Sequence, residues 1–192
     1  MAKYLFFCVS LLIPIISHGQ TIRIDNGYSY ISIRDCYENS SNLKRYSFSV
    51  GLDYLEKKTS FLSSQVGFSP SRYYYYYTDY FGDMNDKSDF ISDNLFINTL
   101  INGKLPFNLS FAYFGAGPEA HFSINKRNYP KENSFHNLNE FKNIVGIKFV
   151  GGLTFNINKF NLGINCDYFD NLGIGDYNKK SITFNLSTGL NL

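Results

Sequence analysis

Apolar and polar residues alternate along most of this chain with a period of two. Tyr46, Phe48, Val50, Leu52 and Tyr54 are interleaved with Ser47, Ser49, Gly51 and Asp53. Phe107, Leu109, Phe111 and Tyr113 alternate with Asn108, Ser110 and Ala112, and Val145, Ile147, Phe149, Leu153 and Phe155 with Gly146, Lys148, Gly152 and Thr154. Phe160, Leu162, Ile164, Cys166 and Tyr168 repeat the pattern, as do Ile182, Phe184, Leu186, Thr188, Leu190 and Leu192. Weaker versions occupy Ser60 to Ser69 and Asn94 to Asn102. Successive side chains of a strand point to opposite faces, so each segment predicts a strand with one greasy face and one of serine, asparagine and glycine. Helical periodicity is absent.

Two architectures alternate in this way. A soluble barrel keeps its apolar face inside and builds it from strands of about 5–6 residues. A membrane barrel turns that face outward, on strands of about ten residues that cross the hydrocarbon layer at a tilt. The segments here have the longer length. The connections also alternate: Glu56 to Thr59, Gly103 to Pro106 and Asn156 to Lys159 are short, whereas Asp35 to Leu43, Thr78 to Asp93, Asn125 to Asn139 and Asp170 to Lys179 are long. Short periplasmic turns and longer outside loops are the asymmetry of an outer-membrane barrel. The expectation is an all-β, eight-stranded antiparallel transmembrane barrel with both termini on the periplasmic side. In the first strand the apolar phase switches at Asn26-Gly27, so Tyr28 and Tyr30 or Ile31 and Ile33 face outward. A soluble exported barrel that binds an apolar ligand is the competing architecture.

The N-terminus fits export. Lys3 precedes the apolar run Tyr4 to Ile16, and Ser17-His18-Gly19 supplies small residues for a peptidase. Residues 1–19 read as a signal peptide cut near Gly19/Gln20, and residues 20–192 as one barrel domain. Thirteen apolar-rich residues with a proline fall short of the ~20 that a membrane-spanning helix needs. The formal charge of +2 carries no basic block, which argues against nucleic acid as a partner. Cys36 and Cys166 remain in the processed chain, too few for a disulfide scaffold.

Tyr73, Tyr74, Tyr75, Tyr76 and Tyr77 form an unbroken run. A phenol is apolar along its ring and wet at its tip, so it suits a membrane–water boundary. Fourteen residues beyond the turn at Lys58, at ~2.5 Å of height per tilted residue, the run reaches the outer interface. If the phase of Phe68 continues, Tyr74 and Tyr76 join the aromatic girdle and the other three line the mouth.

Candidate chemistry is sparse. His121, Ser123 and Glu119 form the one compact Ser/His/acid group on a strand, but no Gly-x-Ser-x-Gly elbow occurs. Asp79, Asp83, Asp86, Asp89 and Asp93 share one segment without the glycine and glutamate of an EF-hand loop. No catalytic, cofactor or metal site is assigned, and the expected role is non-enzymatic, as a structural, surface-interaction or protein-secretion-accessory barrel, with a membrane-embedded lipid-modifying hydrolase as a lesser alternative. The lumen does suggest a structural pair. A turn centred between Ile157 and Asn158 sets Phe155 opposite Phe160 and Lys148 opposite Asp167 on the inner face. With Asp53 and the asparagines, that pair closes the interior.

The segments "YSFSVGLDYLEKKTSFLSSQVGFS", "LFINTLINGKLPFNLSFAYFGAGPEAHFSI", "VGGLTFNINKFNLGINCDYFDNLGI" and "SITFNLSTGLNL" together resemble the PorT-type outer-membrane beta-barrel family. The resemblance covers roughly Gly27 to Leu192, and "AGPEAHFS" is its most distinctive piece. It implies the outer membrane as location and its lipid as surroundings. Envelope or secretion proteins are implied as partners, since some members are tied to protein secretion.

Overall fold

A computed structural model describes residues 20–35, 40–78, 84–129, 143–172 and 177–192, with side chains for 20–31, 45–69, 94–124, 143–172 and 179–192. Eight strands follow one another: β1 (Thr21–Asp35), β2 (Ser40–Tyr54), β3 (Ser60–Thr78), β4 (Met84–Phe107), β5 (Ser110–Tyr129), β6 (Asn143–Ile157), β7 (Phe160–Asp170) and β8 (Tyr177–Asn191). Each pairs antiparallel with the next, and β1 pairs with β8, so the sheet closes into a barrel without a free edge. Around the closed part of the sheet every strand has a partner on both sides, and β2 meets β3 over Phe48 to Tyr54 and Leu62 to Phe68.

The apolar face is the outside. Phe48, Val50, Val66, Ile97, Phe114, Phe149, Ile164, Phe184 and Leu186 are all exposed, while Asp25, Gln65, Asn98, Glu119, Lys148 and Asp167 are buried in the lumen. This inverts a water-soluble barrel, and the apolar side chains that do face the lumen near the turns, Phe61, Leu100, Tyr113 and Val150, pack against one another. In β1 the alternation runs unbroken: Ile22, Ile24, Tyr28 and Tyr30 are exposed, and Ile31 is buried. Gly27 keeps the inward phase because Asn185 lies across it; a Cβ there would stand 1.8 Å from Asn185 Oδ1. The apparent phase switch comes from this glycine, which has no side chain to mark its face.

Two turn placements need correcting. The β4–β5 hairpin lies at Asn108-Leu109, with Phe107 paired to Ser110, and not at Gly103 to Pro106. Asn108 takes a φ of 48°, which asparagine tolerates better than most residues. Gly103 and Pro106 stay in the ladder opposite Phe114 and Phe111. The faces beyond the turn change with it: Tyr113 is buried in the lumen with Phe111 half-buried beside it, and Phe114 is the outward residue. The β6–β7 hairpin turns at Asn158-Lys159, with Ile157 opposite Phe160, so Phe155 pairs with Leu162 and Lys148 with Phe169. Here the left-handed position, φ 56°, belongs to Asn158. A turn centred one residue earlier needs β-branched Ile157 in the turn, which its stiff side chain disfavours.

Several expected loop residues are strand. Met84 to Asp93 pair with Pro70 to Thr78, with a register shift between Tyr77 and Thr78, and β1 stays paired to β2 as far as Arg34 and Ser40. The 24 residues of β4, against 11 in β7, give heights of roughly 60 Å and 28 Å at ~2.5 Å per residue. Strands β3 to β5 therefore rise well above the rest of the rim on the loop side. Tyrosine is a good strand former, and pairing satisfies the backbone of a long hairpin better than a loop does.

Candidate functional site: the barrel lumen

Inward-facing side chains from all eight strands meet across the lumen. Lys148 of β6 is central. Its Nζ lies 2.8 Å from Asp167 Oδ2 of β7 and 3.2 Å from Glu119 Oε2 of β5. The corrected register makes Lys148 and Asp167 diagonal neighbours two positions apart, within reach of a long side chain. Asn98 of β4 donates to Glu119 Oε2 (2.9 Å) and Gln65 Oε1 (3.1 Å), and Gln65 of β3 donates to Asp25 Oδ2 (2.5 Å). Asp25 of β1 also accepts from Ser187 of β8 and pairs with Arg23 Nε at 3.2 Å. Arg23 Nη1 reaches Asp53 Oδ2 of β2 at 3.2 Å, and Asn185 of β8 donates to Asp167 at 3.0 Å. The groups form one connected network from wall to wall. Buried ions persist in such a place only with direct partners, because removing them from water costs several kcal/mol each.

On the loop side of Lys148 sits His121. Its Nε2 lies 2.8 Å from Glu119 Oε1 and its Nδ1 3.4 Å from Lys179 Nζ, and the Phe169 ring packs 4.6 Å away. A proton on Nε2 serves both contacts, since Glu119 then accepts and Lys179 donates to Nδ1. Both nitrogens thus face charged partners, whereas a hydrolytic base turns one toward a nucleophile. Ser123, two residues on along β5, is half-buried.

The turn end of the lumen is built differently. Phe61, Phe111 and Tyr113 pack edge-on, with centroids 5.7 Å (Phe61–Tyr113) and 6.1 Å (Phe61–Phe111) apart. Lys104 Nζ sits 4.1 Å from the Phe111 ring centroid and pairs with Glu56. Opposite this aromatic wall, Thr21 donates to Asn191 Oδ1 (2.6 Å), as does Asn161 (2.9 Å). Between the two walls lies a chamber of about 270 Å³, which Arg23 and Asp53 also line.

Of the residues singled out in the sequence, Lys148 and Asp167 come together as an ion pair, and Asp53 joins through Arg23. Tyr73 to Tyr77 lie on β3 opposite Phe90 to Asp86; their side chains lie outside the described residues. The same holds for Asp86, Asp89 and Asp93, while Asp79, Asp83, Cys36 and residues 1–19 lie outside altogether. Cys166 carries a free, outward-facing thiol. Sequence reasoning missed Arg23, Asp25, Gln65 and Glu119 as network members. The signal was present: each is a charged or amide residue at an inward position of a membrane-length strand.

No protein-family model matches the chain, and no curated protein matches it by sequence. Solved structures do. The outer membrane protein OprG of Pseudomonas aeruginosa superposes with a TM-score of 0.61 over 91% of this chain and 96% of its own, at 10% identity. Neisserial surface protein A gives 0.54 at 12% identity, covering 91% and 99%. Ail, the attachment invasion locus protein of Yersinia pestis, gives 0.53 at 11% identity over the same shares, in complex with the heparin analogue sucrose octasulfate. The chain has the fold of an outer-membrane β-barrel. At these identities the likeness extends to the fold alone.

Proposed function

We propose that this protein is an exported outer-membrane barrel whose lumen is closed to general solute flow, and that it acts as a non-enzymatic anchor for surface interaction or protein secretion. The observation that carries this reading is Lys148 bridging Glu119 and Asp167 in a network that reaches all eight strands. Eight strands enclose a space that side chains can fill, and here ionised side chains fill it. The apolar outer wall supports contact with membrane lipid. The raised β3–β5 wall, with the tyrosine run on it, supports an outward role for that side. The resemblance to PorT-type barrels keeps a secretion-accessory role among the candidates, and cleavage near Gly19/Gln20 is part of the proposed export route.

Two measurements test this. The processed protein should require detergent to stay soluble and should fractionate with outer membranes. Liposomes containing it should retain a small neutral solute as well as protein-free liposomes do. Rapid efflux, or an aqueous folded monomer without detergent, would overturn the proposal.

A further inference from the structure

We propose that the chamber at the turn end of the lumen is a binding site for a single neutral sugar ring, presented from the side of the short turns. The chamber's charges exclude other ligand classes. Arg23 is held by Asp25 and by Asp53 Oδ2, and Glu56 is held by Lys104, while Asp53 Oδ1 is buried without a hydrogen-bond partner and can accept from a hydroxyl. An incoming cation meets Arg23 and Lys104 beside those carboxylates, and an incoming anion faces Asp53 and Glu56. An apolar molecule would strand the amides and hydroxyls of Thr154, Asn156, Asn158 and Asn161 without water. What remains is a neutral molecule with an apolar face and a polar edge.

The two walls match those two sides of a pyranose. Phe111 is the half-buried member of the aromatic trio and offers its ring to the C–H face. Beside it, Thr154, the cross-strand partner of Phe111, and Asn156 point inward on β6, half-buried, and neither makes a side-chain hydrogen bond to another described residue. They supply donors and acceptors for ring hydroxyls without breaking existing bonds. Asn161 and Asn191 bond to each other through both amides, at 2.9 and 3.3 Å, and so hold their remaining lone pairs and protons in fixed directions. At about 270 Å³ the chamber falls just below the range of drug-sized pockets, roughly 300–1,000 Å³, which fits one ring and not two. The mouth of a barrel is a recurrent location for such sites. The charged network above Arg23 closes the far side, so the ring enters and leaves from one end.

Saturation-transfer NMR on the refolded full chain, in a phosphocholine detergent that carries no sugar, tests this with glucose and N-acetylglucosamine as probes. The expected result is transfer to ring protons, with a Kd of about 1–20 mM, the weak range of one small ring. Thr154→Phe, which fills the chamber, should abolish the transfer, and Asn156→Ala should weaken binding about tenfold, or ~1.4 kcal/mol. Circular dichroism and heat-dependent gel mobility establish that each variant is folded. A β-1,4-linked N-acetylglucosamine tetramer separates two sources of the ring: tighter binding than the monomer assigns the site to a glycan end, and equal binding assigns it to free sugar. No transfer with either monosaccharide at about 50 mM, or transfer that survives in folded Thr154→Phe, overturns the proposal.

Discussion

The middle and the turn end of the lumen are both polar, yet one is filled and the other is hollow. In the middle, Lys148 touches Glu119 and Asp167 directly, Arg23 touches Asp25, and Asn98 and Gln65 join the two groups. At the turn end, neutral amides and hydroxyls face an aromatic wall across a chamber of about 270 Å³. The difference follows from the groups. A buried ion left without a partner costs several kcal/mol, so ionised side chains close up on each other. Asparagine and threonine tolerate water or a ligand as partner, so they can line a space. Charge closes this barrel, and neutral polarity leaves room in it.

Breaking the filled region should have the largest effect. Lys148→Ala leaves Glu119 and Asp167 facing each other without a cation, and a urea refolding titration should register a loss of about 3–5 kcal/mol. Lys148→Met combined with Glu119→Gln and Asp167→Asn should recover most of that loss, because the cation and both carboxylates of the bridge are removed together. A triple variant as unstable as Lys148→Ala would mean that volume, not charge, holds the middle together.

The next effect separates outside from inside. Phe149→Arg puts a charge on the lipid-facing wall and should cost about 2–4 kcal/mol, whereas arginine at half-buried Asn161, which lines the turn-end chamber, should cost much less. Equal losses in the same titration would reject the inside-out orientation. A smaller effect is expected at Gly27, where a Cβ would collide with Asn185, the donor to Asp167. Gly27→Ala should destabilise by about 1–3 kcal/mol, and Gly27→Ala with Asn185→Ser should be milder than the single change. The smallest belongs to the hollow region: Asn156→Ala should stay within about 0.5 kcal/mol of the parent in stability, since no described side chain depends on it.

Much of this was legible in the sequence. Period-two alternation from Tyr46 to Leu52 and from Phe160 to Tyr168 announced both the strands and their outward face, and the short turns fixed the number of strands. Parity also survived error. The β6–β7 turn sits one residue later than expected, which shifts the pairing by two, so Lys148 and Asp167 kept the same face and still meet. Other errors changed faces. Reading Pro106 as the turn carried the outward phase across Asn108 and put Tyr113 on the wrong side. Alternation says which residues share a face only between turns, and a turn is located by the residue able to take a positive φ. The three-way contact at Lys148 was not legible, because Glu119 lies on β5 and reaches it only once β5 and β6 are paired. The height of β3 to β5 was obscured by aspartates, which depress strand propensity without preventing pairing.

The central claim is that Lys148 and its two carboxylates close the lumen. Single-channel recording of the refolded protein in a planar bilayer, beside folded Lys148→Ala, tests it most directly. The parent should show no steady conductance, and the variant should show openings because the bridge between β5, β6 and β7 is gone. Large, stable open currents from the parent would contradict the account.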